Sequence, residues 1–314
     1  MLFFVYVSKT YTQDPQFSQF YANPLYLAPS FAGAVEGSRV TANYRNQWIT
    51  LVPFVTYHMG YDQYFSDFNS GVGIIGMKDV IGRSELGTSR LSLLYSYHFE
   101  FLHTWHIRPG ISFSYIEHGI HNYDLNSIFD IMGQPSQGSI YDFEKARNID
   151  VGSSVLVYSK NIWFGTTLDH LIKPDISLST LKAPLPIKFS LFGGIELIRQ
   201  GTLLKPKDET MTFAFLFKNQ NWQNQLDLGI YWHKVPLVIG MWYRGIPPFN
   251  SQRGDAFILL LGYKTRYFNI GYSFDLTISN LISHAYATHE VSMSIKFNLP
   301  KRRKKITGIP CPEF

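Results

Sequence analysis

Apolar and polar residues alternate along this chain in runs long enough to cross a bilayer. Leu91, Leu93, Tyr95, Tyr97, Phe99 and Phe101 share one parity, against Ser92, Ser96, His98 and Glu100, with Leu94 the exception. Ile270, Tyr272, Phe274, Leu276 and Ile278 alternate with Gly271, Ser273, Asp275, Thr277 and Ser279. Val291, Met293, Ile295, Phe297 and Leu299 alternate with Glu290, Ser292, Ser294, Lys296 and Asn298. A period of two puts successive side chains on opposite faces of a strand. Soluble strands typically run about five or six residues, whereas a tilted strand needs about nine to eleven to cross a membrane. The pattern predicts about fourteen strands, at 39–49, 53–61, 70–78, 88–100, 104–117, 147–158, 161–169, 186–197, 210–218, 222–233, 235–244, 254–263, 266–275 and 285–298.

Alternation alone does not separate a soluble sandwich from a membrane barrel, so composition enters here. Charged residues make up 16% of the chain and aromatics another 16%. The charged share is well below the usual quarter. The longest apolar runs, such as Ala256 to Leu261, are far too short for a spanning helix. Low charge, many aromatics and long alternating strands suit a barrel with an apolar lipid face and a polar lumen. The expectation is an all-β fold: a transmembrane antiparallel up-and-down β-barrel of about 14 strands. Leu93, Tyr95, Phe274, Met293 and Ile295 should face lipid, and Ser92, Ser273, Asp275 and Ser294 the lumen.

Connection lengths supply an independent test. With a periplasmic start, every second connection should be a short turn. Ser159–Lys160–Asn161, Lys234–Val235 and Lys264–Thr265 obey, and the long stretches His118 to Ala146, His170 to Leu185 and Gly245 to Arg253 fall on the other set. Arg199 to Glu209 is too long for its side and Asn219 to Asn221 too short for its own.

Four regions follow. Residues 1–12 read as the remnant of a secretory signal, apolar but without a basic front; a short N-terminal strand is the other reading. Residues 13–38 carry Pro15, Pro24 and Pro29, which cannot donate to a sheet ladder. Phe17, Phe20, Tyr21, Pro24, Tyr26 and Phe31 make this segment too apolar for a solvated linker. It is expected to pack inside or beneath the barrel from the periplasmic side. Residues 39–299 are the barrel. Residues 300–314 form a basic tail in which Lys301, Arg302, Arg303, Lys304 and Lys305 account for the whole net charge of +5. The tail and its lone cysteine, Cys311, read either as a solvated end or as a periplasmic contact for a partner.

Chemistry-bearing patterns are sparse. One cysteine excludes an internal disulfide framework and a cysteine-clustered metal site. His98, Glu100, His103 and His106 cluster in sequence, with interface histidines the blander reading. Ser283–His284 and His289–Glu290 are the nearest approach to a hydrolytic set, with no glycine elbow framing a serine. No phosphate-binding glycine loop is present, and no recognisable nucleic-acid module accompanies the basic run. No cofactor, no metal and no catalytic residue is expected.

Several short elements in order carry a resemblance. They are the proline and aromatic segment from Gln13 to Gly33; Arg45–Asn46–Gln47–Trp48; Trp163–Phe164–Gly165 with Asp169–His170–Leu171; Gly271–Tyr272–Ser273–Phe274–Asp275; His289–Glu290; and the Cys-Pro-Glu-Phe end. Together these resemble the outer-membrane PorP/SprF proteins of type IX secretion in Bacteroidetes, with Phe274 where that family commonly has tyrosine. The resemblance implies a non-enzymatic barrel in the bacterial outer membrane, an accessory of type IX export or of surface attachment of an exported adhesin. It implies lipid, periplasmic ring proteins and a large exported cargo as partners. Arg45, Gln47, Asp169, His170, Asp275 and Glu290 are expected to form a polar network in the lumen. The competing reading is a transporter for small hydrophobic molecules, with residues 13–33 as its plug.

Overall fold

The computed structural model is described over residues 14–35, 37–48, 53–82, 86–101, 104–120, 145–178, 182–200, 209–221, 223–245, 256–278, 287–297 and 309. Residues 1–13, most of 300–314 including Lys301 to Lys305 and Cys311, and Ser283–His284 lie outside that set.

Among the described residues, fifteen strand segments form one antiparallel sheet: β1 (Ser38–Gln47), β2 (Phe54–Phe65), β3 (Ser70–Ile81), β4 (Leu86–Tyr97), β5 (Phe99–Phe101), β6 (Trp105–Ile120), β7 (Ala146–Tyr158), β8 (Ile162–Asp169), β9 (Lys188–Gln200), β10 (Glu209–Gln220), β11 (Gln223–Lys234), β12 (Leu237–Gly245), β13 (Ala256–Lys264), β14 (Phe268–Thr277) and β15 (Ala287–Phe297). β5 continues β4 past His98 along the same neighbour, β6, so the segments make fourteen staves. Neighbours in space follow chain order, and the sheet closes through β1 with β15. Closure leaves no long open edge, as a membrane-spanning sheet requires.

The alternation sorts the faces as expected. Leu93 is 58% exposed and its neighbour Ser92 5%; Ile295 is 39% exposed and Ser294 1%. Tyr95 and Met293 are exposed, Phe274 is half-exposed on the same side, and Ser273 and Asp275 are buried on the other. The strand ends at 66–69, 102–104, 159–161, 235–236 and 265–267 are joined by two to four residues. The opposite end carries 121–145, 170–187, 246–255 and 278–286. The two connections that break the length rule still do so: eight residues, 201–208, separate β9 from β10 on the short-turn side, and two, 221–222, separate β10 from β11 on the other.

The segment before β1 lies within the barrel. Its prolines open two short turns, the α-helical Pro24–Leu27 and the 3-10 turn Pro29–Phe31. Proline suits a first helical position because its missing N–H would have no helical partner there. Phe20, Tyr21, Leu27 and Phe31 pack against Trp163, Phe192, Tyr231, Trp242, Ile258 and Leu260 from β8 to β13. Leu25 and Ala32 pack against Ile75 and Leu94. Leu94 breaks the alternation because the surface it faces is the plug, not water. Glycines of the wall let the plug backbone lie flat on it: a Cβ on Gly71 would fall 1.9 Å from the Ala32 carbonyl oxygen, and one on Gly110 2.3 Å from the Ser30 nitrogen.

Candidate functional site: the interface between plug and barrel wall

Inward-pointing charged residues cannot face an aromatic plug without partners, because burying an unpaired charge is costly. They meet the plug in three groups. Near one end Ser18 is the hub. Glu290 accepts the Ser18 N–H at 2.6 Å, the Gln19 N–H at 3.1 Å and Arg45 Nη1 at 3.1 Å. Asp275 accepts Arg45 Nη2 at 3.2 Å and Arg244 Nη1 at 3.1 Å. The Ser18 hydroxyl donates to Asp275 and accepts from Arg45, with Arg244 Nη2 at 3.2 Å. The register makes this possible, since Arg45 stands directly across from Glu290 on β15.

The second group centres on Asp14, at the junction of β8 and β9. Its carboxylate is 2.7 Å from Lys188 Nζ, 3.0 Å from His170 Nε2 and 3.7 Å from Arg90. His170 Nδ1 lies 2.8 Å from Asp150, and Lys188 also reaches Asp169 at 2.9 Å. His170 sits just beyond β8, with a left-handed backbone (φ 60°). Burial works against its charged form, but Asp14 and the hydrogen bonds to Asp14 and Asp150 outweigh it and hold its pKa up, at about 9. His170 is therefore an imidazolium at neutral pH.

The third group ties down the end of the plug nearest β1. Asp62 pairs with Arg39 at 2.9 Å and accepts the Gly33 N–H at 2.8 Å. Arg108 donates to the carbonyls of Ser30 at 3.1 Å and Ala32 at 2.6 Å. Charge-assisted bonds of this kind are the strong ones.

Of the residues singled out in the sequence, Arg45, Asp275 and Glu290 come together. Asp169 and His170 belong to the separate Asp14 group. Gln47 lies at the end of β1, half-exposed and outside both groups. Phe17, Phe20, Tyr21, Pro24 and Phe31 are buried, and Tyr26 nearly so, its hydroxyl on the Pro15 carbonyl and its ring under Lys188. Sequence reasoning missed Asp14, Ser18, Arg39, Asp62, Arg90, Arg108, Asp150, Lys188 and Arg244. The available signal was a charge at a lumen-side position of an alternating strand.

His98 and His106 do meet, with Nε2 and Nδ1 3.1 Å apart, but Glu100 is exposed at the rim. Among the described residues no group of three or more His, Cys, Asp or Glu is placed to hold a metal ion. His289 points outward to the Tyr272 hydroxyl at 2.7 Å while Glu290 points inward, so this pair forms no dyad.

The short motifs of the sequence converge on the plug. Arg45, Asp275 and Glu290 hold Ser18; a Cβ on Gly271 would fall 2.5 Å from Gln19 Oε1; Trp163 meets the Tyr21 ring at 5.9 Å; His170 holds Asp14. Fold and interior together define an outer-membrane-type β-barrel whose lumen carries its own N-terminal plug. The chain belongs to the family described as type IX secretion system membrane protein PorP/SprF, whose model matches residues 9–295. That is a family of secretion-system membrane barrels of the outer membrane, not an enzyme class. No curated protein matches the sequence significantly. Solved structures that it resembles include the Acinetobacter baumannii outer membrane protein Omp33 (10% identity, TM-score 0.48, 84% of this chain and 100% of that one). Others are the CymD monoaromatic hydrocarbon channel (10%, 0.49, 88% and 93%) and a Pseudomonas aeruginosa FadL homologue (12%, 0.49, 88% and 94%).

Proposed function

We propose that this protein is a closed, non-enzymatic barrel that serves type IX export or surface attachment by docking protein partners at its two faces. The single observation that carries the reading is the plug, bonded to the wall by three ionic groups at the two ends of the barrel. The apolar sector that a carrier of small hydrophobic molecules would use is filled by Phe20, Tyr21, Leu27 and Phe31, which speaks against transport. Outer-membrane lipid covers the outward face. The outer connections are the side for a large exported adhesin or other cargo. The tail, Lys301 to Lys305 with Cys311, is the contact for ring proteins of the secretion machine on the periplasmic side. A basic cluster there speeds encounter with an acidic surface more than it holds it, because salt screens it beyond about 8–10 Å.

Deleting Lys301 to Phe314 tests this. Loss of cargo from the cell surface, with the barrel assembled in normal amount, supports docking by the tail. Cargo at wild-type level on the surface would falsify it. Changing Cys311→Ser asks separately whether the thiol bridges to a partner.

A further inference from the structure

We infer that the plug is threaded with its N-terminal end toward the extracellular mouth, so that Asp14 stands at the outer face of the barrel. This deepens the docking reading and rests on its orientation, in which the short turns are periplasmic.

The contacts of the plug fix its direction. Its C-terminal end joins β1 at Ser38, the end of that strand paired with Phe297 and Gln63. There the Gly33 N–H is held by Asp62, and the Tyr64 N–H donates to the Gly37 carbonyl at 3.2 Å. Phe65 and Ser70 flank the short turn 66–69 at that end, which is periplasmic in this orientation. Asp14 is at the opposite end. Asp169 is the last residue of β8 and Lys188 the first of β9, and His170 opens the long connection between them. Asp14 pairs with both His170 and Lys188. Ser18 likewise meets Arg45, Arg244 and Asp275, each within two residues of the same ends of β1, β12 and β14. The plug therefore runs the length of the lumen and does not enter and return by the periplasmic mouth.

The space that a returning chain would need is taken. The Phe17 ring packs edge-on to Tyr26 at 5.0 Å and to His58 at 5.8 Å. The Tyr26 hydroxyl donates to the Pro15 carbonyl, and Ser18 and Gln19 are bonded through their backbones to Glu290. The outer mouth is the nearer exit. At the other terminus, β15 ends on the periplasmic side and Ile309 packs against the apolar cluster of plug and wall. Asp14 and the end of β15 thus lie on opposite sides of the membrane, and the Asp14 end of the plug is the one open to exported protein at the surface.

Cysteine labelling tests the threading, in a Cys311→Ser background that leaves the chain without other thiols. One variant carries a cysteine inserted between Gln13 and Asp14, with intact mass verifying that the insertion is retained. Two controls are Lys173→Cys, in the long connection after β8, and Lys234→Cys, at the short turn after β11. A membrane-impermeant maleimide is applied to intact cells and then to opened envelopes. The expected result is labelling of the inserted cysteine and of Lys173→Cys in intact cells, and of Lys234→Cys only after opening. An inserted cysteine that labels only in opened envelopes, or in neither state, overturns the inference. If the two controls exchange their behaviour, the orientation fails instead; threading then stands only if the inserted cysteine still follows Lys173→Cys.

Discussion

Glu290→Gln is the substitution that tests the plug interface most directly. The carboxylate is fully buried and acceptor-only, and it faces three donors: two backbone N–H groups of the plug and Arg45 Nη1. The amide keeps the shape but presents an NH₂ group to that set, so one donor must face another. Arg45 keeps Asp275 at 3.2 Å but loses half of its countercharge. Removing one partner of a buried pair costs about 3–5 kcal/mol. The ladder hydrogen bonds of the barrel are untouched, so the loss falls on plug seating. At about 1.4 kcal/mol per decade, it raises the undocked fraction by roughly two to four orders of magnitude. The assay is chymotrypsin digestion of the purified barrel in detergent, reading cleavage at Phe17, Phe20, Tyr21, Tyr26 and Phe31 by mass. Where opening is fast relative to cleavage, the rate tracks the open population. Cleavage of the variant within threefold of wild type would refute the argument that Glu290 seats the plug. The double change Arg45→Met with Glu290→Leu should recover part of the loss, since it removes both charges.

Three further outcomes are expected. His170, held at about 9, contributes stability that is complete below its ordinary 6.5 and is lost as pH rises through 9. Plug protection should therefore fall progressively from about pH 6.5 to just above pH 9, by on the order of 3 kcal/mol in all, and His170→Asn should flatten that limb of the protease-rate profile; an unchanged profile counts against the assignment. Gly229→Ala would place a Cβ 2.0 Å from the buried Trp242 ring, at a cost of about 1–3 kcal/mol, seen as a lower temperature for loss of the compact band in semi-native gels; an unshifted midpoint would show that the indole has room to move. Leu93→Arg puts a cation against lipid and should cost about 2–4 kcal/mol, read as a lower unfolding midpoint in urea in lipid vesicles, whereas a midpoint equal to wild type would mean that Leu93 does not face the membrane core.

The wall was legible in the sequence and its contents were only partly so, for one physical reason. A barrel strand sees two environments, lipid and lumen, and these recur every second residue, so period two marks nearly every stave. Strand ends slipped by a few residues, as at β2, which runs to Phe65 and not to residue 61, because a turn at the rim needs no special residue when water satisfies its backbone. The plug has no period. Its presence was readable from prolines that exclude pairing beside aromatics that need burial, but its direction was not, because direction resides in contacts such as Ser18 with Glu290, 272 residues apart. Gln47 shows the cost of inferring a site from a motif: it shares a short element and a strand face with Arg45, but it is the last residue of β1, half-exposed and one step beyond the Ser18 group.

The exceptions to alternation held more information than the rule. A water-filled lumen imposes polar residues on every inward position, whereas Leu94, Ile75, Leu156, Leu216, Ile258 and Leu260 point inward and are buried. Inward apolar residues are concentrated on β7 to β13, while inward charges stand on β1, β2, β14 and β15 and again at Arg90, Arg108, Asp150, Lys188 and Arg244, so the lumen must hold an object that offers both apolar and polar groups. The plug meets that requirement residue by residue, with Phe20, Tyr21 and Phe31 against the apolar residues and Ser18 and Gln19 against the charged ones. The same division explains why the ionic groups cannot simply be exchanged for apolar ones one at a time: each charged side chain has a partner on another strand or on the plug, and a single removal leaves that partner buried without its countercharge.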